Sequence, residues 1–226
     1  MNTNRKIAVL VGIFFIIGTV SGILSALITG PIFETTNFLM KISQDGSQVV
    51  LGAFFVLSMG LALVMVPVMM YPIFKKYDEI LALGSVVFRG VLETVTYIAM
   101  VISWLLLILL SQEYVKAGAS EVSYFQTLGT ILMKANDQII PVQEIVFSLG
   151  ALMFYYLFWV SKLIPRWLSG WGLIGAGIYL IAGLITLFGY ELDVLLAPLA
   201  VQEMILALWL IIKGFNPTEV PAGASV

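Results

Sequence analysis

Arg89 and Glu93 sit four residues apart inside a long apolar run, and Glu144 and Glu203 interrupt two others. Ionisable groups at bilayer depth are costly to hold, so they face a protein interior or a wet cavity and pair with one another. On one helix, Ser85, Arg89, Glu93 and Thr96 or Tyr97 share a face by i, i+4 spacing, which makes a polar stripe. Gln143 and Gln202 put amides beside the two later glutamates. The set holds one base and three acids. Arg89 keeps its charge, and its planar fork can hold two carboxylates at once. Any remaining acid must be protonated, hydrated or matched by a cation.

Three readings of these residues stay open on sequence alone. They could clamp helices together without further chemistry, carry a proton or small cation, or line a pocket for a lipid or another small molecule. Nothing in the sequence names a substrate.

The elements that position these residues follow from composition. Of 226 residues, 61% are hydrophobic and 11% charged, and the mean hydropathy is +1.06. Soluble domains carry about 25% charged residues, so this chain reads as an all-α polytopic membrane bundle. A net charge of −2 argues against nucleic acid as a partner; the lipid bilayer is the expected one. Cysteine and histidine are both absent, which removes disulfides, thiol catalysis, imidazole bases and the usual zinc sites. A Walker-type phosphate loop is missing too, and every aspartate falls in a loop. No cofactor, metal or catalytic motif emerges, so we do not expect an enzyme.

Hydrocarbon about 30 Å thick needs about 20 apolar residues per helix. Six stretches qualify as spans: 7–29, 49–74, 80–110, 139–161, 167–188 and 193–212. The third is too long to stand upright and should tilt or project. The first follows Arg5 and Lys6 and exceeds the ~7–15 residues of a cleavable signal core. It reads as a retained anchor, with cleavage between Ser25 and Gly30 as the alternative. Orientation comes from basic residues in the connections. Arg5, Lys6, Lys75, Lys76, Lys162, Arg166 and Lys213 fall on one side, and Lys41, Lys116 and Lys134 on the other. That asymmetry places both termini in the cytoplasm.

Between the third and fourth spans, from Ser120 to Asp137, apolar residues recur at Val122, Phe125, Leu128, Ile131, Leu132 and Ala135. This spacing predicts a short amphipathic helix in the outer loop, lying on the membrane surface or capping the bundle. Residues 35–42 suggest a shorter piece of the same kind. Residues 1–215 read as one domain, and 216–226 as a disordered cytoplasmic tail. Gly18 and Gly22 form a small-xxx-small face for packing inside the chain or for a dimer, so the oligomeric state stays open. Pro67 and Pro72 are expected to kink the second span.

Helical rise of about 1.5 Å per residue gives rough depths. Arg89 and Glu203 each lie about 15 Å from a boundary, while Glu93 and Glu144 sit nearer the outer side. An Arg89–Glu93–Glu203 network near the midplane, with Glu144 above it, is the expected locus.

Three stretches carry a resemblance. They are Leu83-Gly-Ser-Val-Val-Phe-Arg89 with Glu93 beyond, Pro165-Arg-Trp-Leu-Ser-Gly-Trp-Gly-Leu-Ile-Gly175, and Gln202-Glu-Met-Ile-Leu-Ala-Leu-Trp-Leu-Ile-Ile-Lys-Gly-Phe215. In order and spacing they resemble the prokaryotic membrane family catalogued as domain of unknown function 4386. The resemblance implies a single multi-pass domain in a prokaryotic plasma membrane. It carries no activity, so no residue gains a role from it.

Overall fold

The structure is a computed structural model that describes residues 3–117, 122–190 and 196–216. Helices account for nearly all of these residues, and no strand occurs among them. In chain order they are α1 (Thr3–Phe33), α2 (Phe38–Phe74), α3 (Glu79–Ser85), a π-helical turn (Val86–Leu92), α4 (Glu93–Lys116), α5 (Val122–Asp137), α6 (Ile139–Ser161), α7 (Arg166–Leu187) and α8 (Ala197–Ile212).

Five helical stretches are long and apolar enough to cross a bilayer: Thr3–Phe33, Phe38–Phe74, Glu79–Lys116, Val122–Ser161 and Arg166–Leu187. The last apolar helix, Ala197–Ile212, has 16 residues, about 24 Å of rise. The expected start of that span at Asp193 lies outside the described residues, as do Ser120 and the tail beyond Asn216.

The outward surface is that of a membrane helix bundle. Leu27, Leu61, Ile174 and Ile212 are each about two-thirds exposed, while Arg89, Glu93 and Glu144 are buried. A water-soluble fold would reverse that arrangement.

Neighbouring helices form a closed ring. α1 packs on α2, α2 on the π-helical turn and α4, that turn on α6, α6 on α7, α7 on α8, and α8 back on α1. Small residues bring the members close. Gly18 and Gly22 of α1 face Leu63 and Met59 of α2, so the small-xxx-small face is used within the chain. Ser25 donates to the Gly52 carbonyl across the same contact at 2.9 Å. Gly12 sets α1 against the Ala207 carbonyl of α8.

Local signals shape the helix ends. Asp78 accepts from the Leu81 amide at 2.9 Å and caps α3. Lys162 closes α6 in the left-handed region (φ 55°), and Gly214 follows α8 at φ 77°. Helical angles persist at Pro67 and Pro72; the break in α2 falls at Asp45 (φ −111°, ψ 27°). Asp45 and Gly46 are poor helix formers. Of the piece expected at 35–42, residues 38–42 form the opening of α2 and 35–37 the turn before it.

Candidate functional site

Arg89 sits in the middle of the π-helical turn, a widened helical geometry that occurs frequently at functional sites. Val86, Val87 and Gly90 weaken regular α-helix there. Thr94 returns a hydroxyl to the Gly90 carbonyl at 2.7 Å. Opposite the turn, α6 presents Gly150. A Cβ at that position would lie 2.6 Å from the Arg89 Cβ and 2.8 Å from its Cα. The two helices therefore meet backbone to backbone.

The guanidinium is 2% exposed as part of its residue. Its Nη2 donates to Glu203 Oε1, which ties the third long helical stretch to α8. Three aromatic faces close around it: Phe147 at 4.6 Å, and Phe15 and Phe154 each at 5.4 Å. Ring quadrupoles attract a cation from such positions. They compensate in part for the water a buried charge has lost. Tyr155 adds a hydroxyl to Glu203 Oε1 at 3.1 Å, and Gly172 of α7 leaves room for the Tyr155 ring.

Glu93, one turn on, is held separately. Tyr97 donates to its Oε1 at 2.7 Å, and Gln143 of α6 donates to the Tyr97 oxygen at 3.3 Å. Among the described residues Arg89 pairs with Glu203 and forms no ion pair with Glu93.

These groups line a cavity of about 120 Å³ together with Leu63, Phe147, Tyr179, Leu199 and Ala200. Several waters would fit in that room. Two of the lining side chains are buried with polar atoms that have no partner: Arg89 Nε and Nη1, and Glu93 Oε2. Arg89 can only donate, and a carboxylate oxygen accepts. The cavity lining thus combines the Arg89–Glu203 pair with the polar side chains of Glu93, Tyr97, Gln143 and Tyr179.

Five of the eight expected residues come together here: Arg89, Glu93, Tyr97, Gln143 and Glu203. The other three stand apart. Ser85 is buried and donates to the Ala82 carbonyl of its own helix. Gln202 donates to the Leu168 carbonyl at 2.9 Å and joins α8 to the start of α7. Glu144 is buried against Gly183 of α7 and does not line the cavity.

Sequence reasoning passed over Phe15, Phe147, Phe154, Tyr155 and Tyr179. A signal for four of them was present. Gln143, Phe147, Gly150 and Phe154 follow i, i+4, i+7, i+11 and form the single face of α6 that meets Arg89. Glu144, Ser148, Ala151 and Tyr155 repeat that spacing one residue on. Tyr179 is a phenol in mid-span, away from the interfacial belts where membrane tyrosines gather.

The family described as domain of unknown function (DUF4386) matches residues 10–214. No curated protein and no solved structure matches the chain.

Proposed function

The chain belongs to the DUF4386 family, and from that premise we propose that it is a prokaryotic plasma-membrane protein that binds a small polar molecule inside its bundle. In this reading it crosses the bilayer six times with both termini in the cytoplasm, and α5 lies along the outer face. The apolar run 194–212 holds 19 residues, close to the about 20 that a span of hydrocarbon needs. The excess of Lys and Arg on the terminal side supports the orientation.

One observation carries the binding reading. Arg89 and Glu93 are almost wholly buried and keep polar atoms without hydrogen-bond partners, and both residues belong with Glu203, Gln143 and Tyr179 to the lining of one cavity. Leaving such a group unsatisfied costs about 1–3 kcal/mol, and more for a charged one. A cluster that served only to join helices would gain by closing on itself. The bundle instead leaves room beside this charged and polar lining, which a small polar occupant fills.

A second reading has its own observation. The Arg89–Glu203 pair, braced by Tyr155, links the third helical stretch, α6 and α8. In a purely structural clamp the remaining space would stay sealed.

The two separate experimentally because the chain has no cysteine. Leu199 lines the cavity and is 1% exposed, whereas Val201, two positions on, is 52% exposed on the outer apolar surface. Single cysteines at these positions, in protein reconstituted into vesicles, are treated with a small polar thiol reagent. Faster modification of Leu199→Cys than of Val201→Cys supports the binding cavity. Equally slow modification of both favours the clamp and ends the binding reading.

A further inference from the structure

On the binding reading above, the charges and rings of the lining decide what kind of ligand fits. Three charged side chains belong to it: Arg89, Glu93 and Glu203. Arg89 and Glu203 cancel as a direct pair. Glu93 is held by the Tyr97 phenol and has no ion pair among the described residues. One guanidinium against two carboxylates leaves one formal negative charge in excess. Charge acts through space whichever way the oxygens point, and most strongly away from bulk water.

Within the pair, solvent reaches the acid far more than the base. The Glu203 side chain is 14% exposed and that of Arg89 1%. Phe15, Phe147 and Phe154 close over the guanidinium. An incoming anion would therefore meet a carboxylate first, and the only base is already matched. A cation meets the accessible acid directly.

The remaining lining separates one kind of cation from another. Calcium and magnesium take about six or more oxygens. Among the described residues, no group of three or more acidic side chains could hold a metal ion. Leu63, Phe147, Leu199 and Ala200 bring no side-chain oxygen at all. An organic cation asks for fewer oxygens, because its charge is carried on alkyl groups that pack against apolar side chains. Aromatic rings attract such a charge as well. Tyr97, Phe147 and Tyr179 supply three rings, the last two edge to face at 5.0 Å. The cavity is not enclosed, so the body of the ligand can extend beyond it.

We infer that the cavity binds a monovalent organic cation, a substituted ammonium on an apolar body. Its charge lies beside Glu203, and its alkyl or aryl groups lie against Phe147 and Tyr179.

Protection of a Leu199→Cys thiol against methyl methanethiosulfonate, an uncharged reagent, tests the ligand class in reconstituted vesicles. The probe is benzyltrimethylammonium, present on both sides of the membrane. Benzenesulfonate, of similar size and opposite charge, and uncharged benzyl alcohol are the controls. The expected result is modification slowed about tenfold near ten times the Kd of the probe, with neither control slowing it as much. Tyr179→Leu in the same background keeps all three charges and should raise that Kd about two- to fivefold. Rapid modification that the probe does not slow, or that either control slows equally, overturns the organic-cation class and leaves the cavity reading standing. An unchanged Kd in Tyr179→Leu overturns the class too. Modification no faster than at Val201→Cys overturns both.

Discussion

Gly150 of α6 lies directly against the backbone of Arg89, with no room for a Cβ between them. The contact holds the π-helical turn at a fixed distance from α6, and the same face of α6 carries Phe147 and Phe154 over the guanidinium. The position of the charge is therefore set by a missing methyl group as much as by its carboxylate partner.

Gly150→Ala should accordingly destabilise the protein by about 1–3 kcal/mol, because backbone atoms cannot yield as a flexible side chain can. Gly177, also within a long apolar helix, has open space within 4 Å of the place a methyl group would take. Gly177→Ala should stabilise by about 0.5–1 kcal/mol through helix propensity. Unfolding of both variants in mixed detergent checks the contrast in sign.

The Arg89–Glu203 pair should behave as a buried couple. Removing one partner, as in Arg89→Ala or Glu203→Leu, leaves an uncompensated charge and should cost about 3–5 kcal/mol. The double variant Arg89→Met with Glu203→Leu should lose much less than the sum of the single changes. Additive losses in the double-mutant cycle would mean that the two groups do not depend on each other.

Tyr155→Phe removes only the hydroxyl that reaches Glu203. Polar links between membrane helices contribute about 0.6–2 kcal/mol, and a loss of that size is expected. Tyr156→Phe, where the neighbouring phenol is 46% exposed, should be close to neutral. Thermal unfolding in detergent resolves the difference.

Arg5 of α1 reaches the end of the adjoining α8, donating to the Leu210 carbonyl at 3.0 Å and to those of Ile211 and Ile212. These are the carbonyls a helix C-terminus leaves unpaired. Arg5→Gln should speed amide exchange near residues 210–214 and lower stability by about 1 kcal/mol. Exchange at residues around Arg89 should stay unchanged, since the Glu203 contact lies two turns away.

Topology is checked by sided labelling. Cysteines replacing Lys76 or Lys162 should react only with reagent on the cytoplasmic side, and one replacing Lys134 only from outside. Labelling of Lys76→Cys and Lys134→Cys from the same side would refute the six-span arrangement.

Composition alone determined that this chain is a helical membrane protein. Hydropathy and length are local properties, and hydrocarbon forces each span to satisfy its own backbone. The rare charges in apolar runs, Arg89, Glu93, Glu144 and Glu203, marked where to look for the same reason. Spacing also revealed the buried stripe from Ser85 to Tyr97, since i, i+4 neighbours share a helix face wherever the helix is placed.

What the stripe touches was decided by tertiary structure. Which acid meets Arg89 depends on how the helices rotate and cross, and no local pattern encodes that. Glu203, 114 positions away, takes the ion pair, Tyr97 holds Glu93, and Glu144 turns toward Gly183. The aromatic enclosure of Arg89 has the same origin. Phe15 reads as one more apolar residue of its span until the ring of helices closes and sets its face against a buried cation.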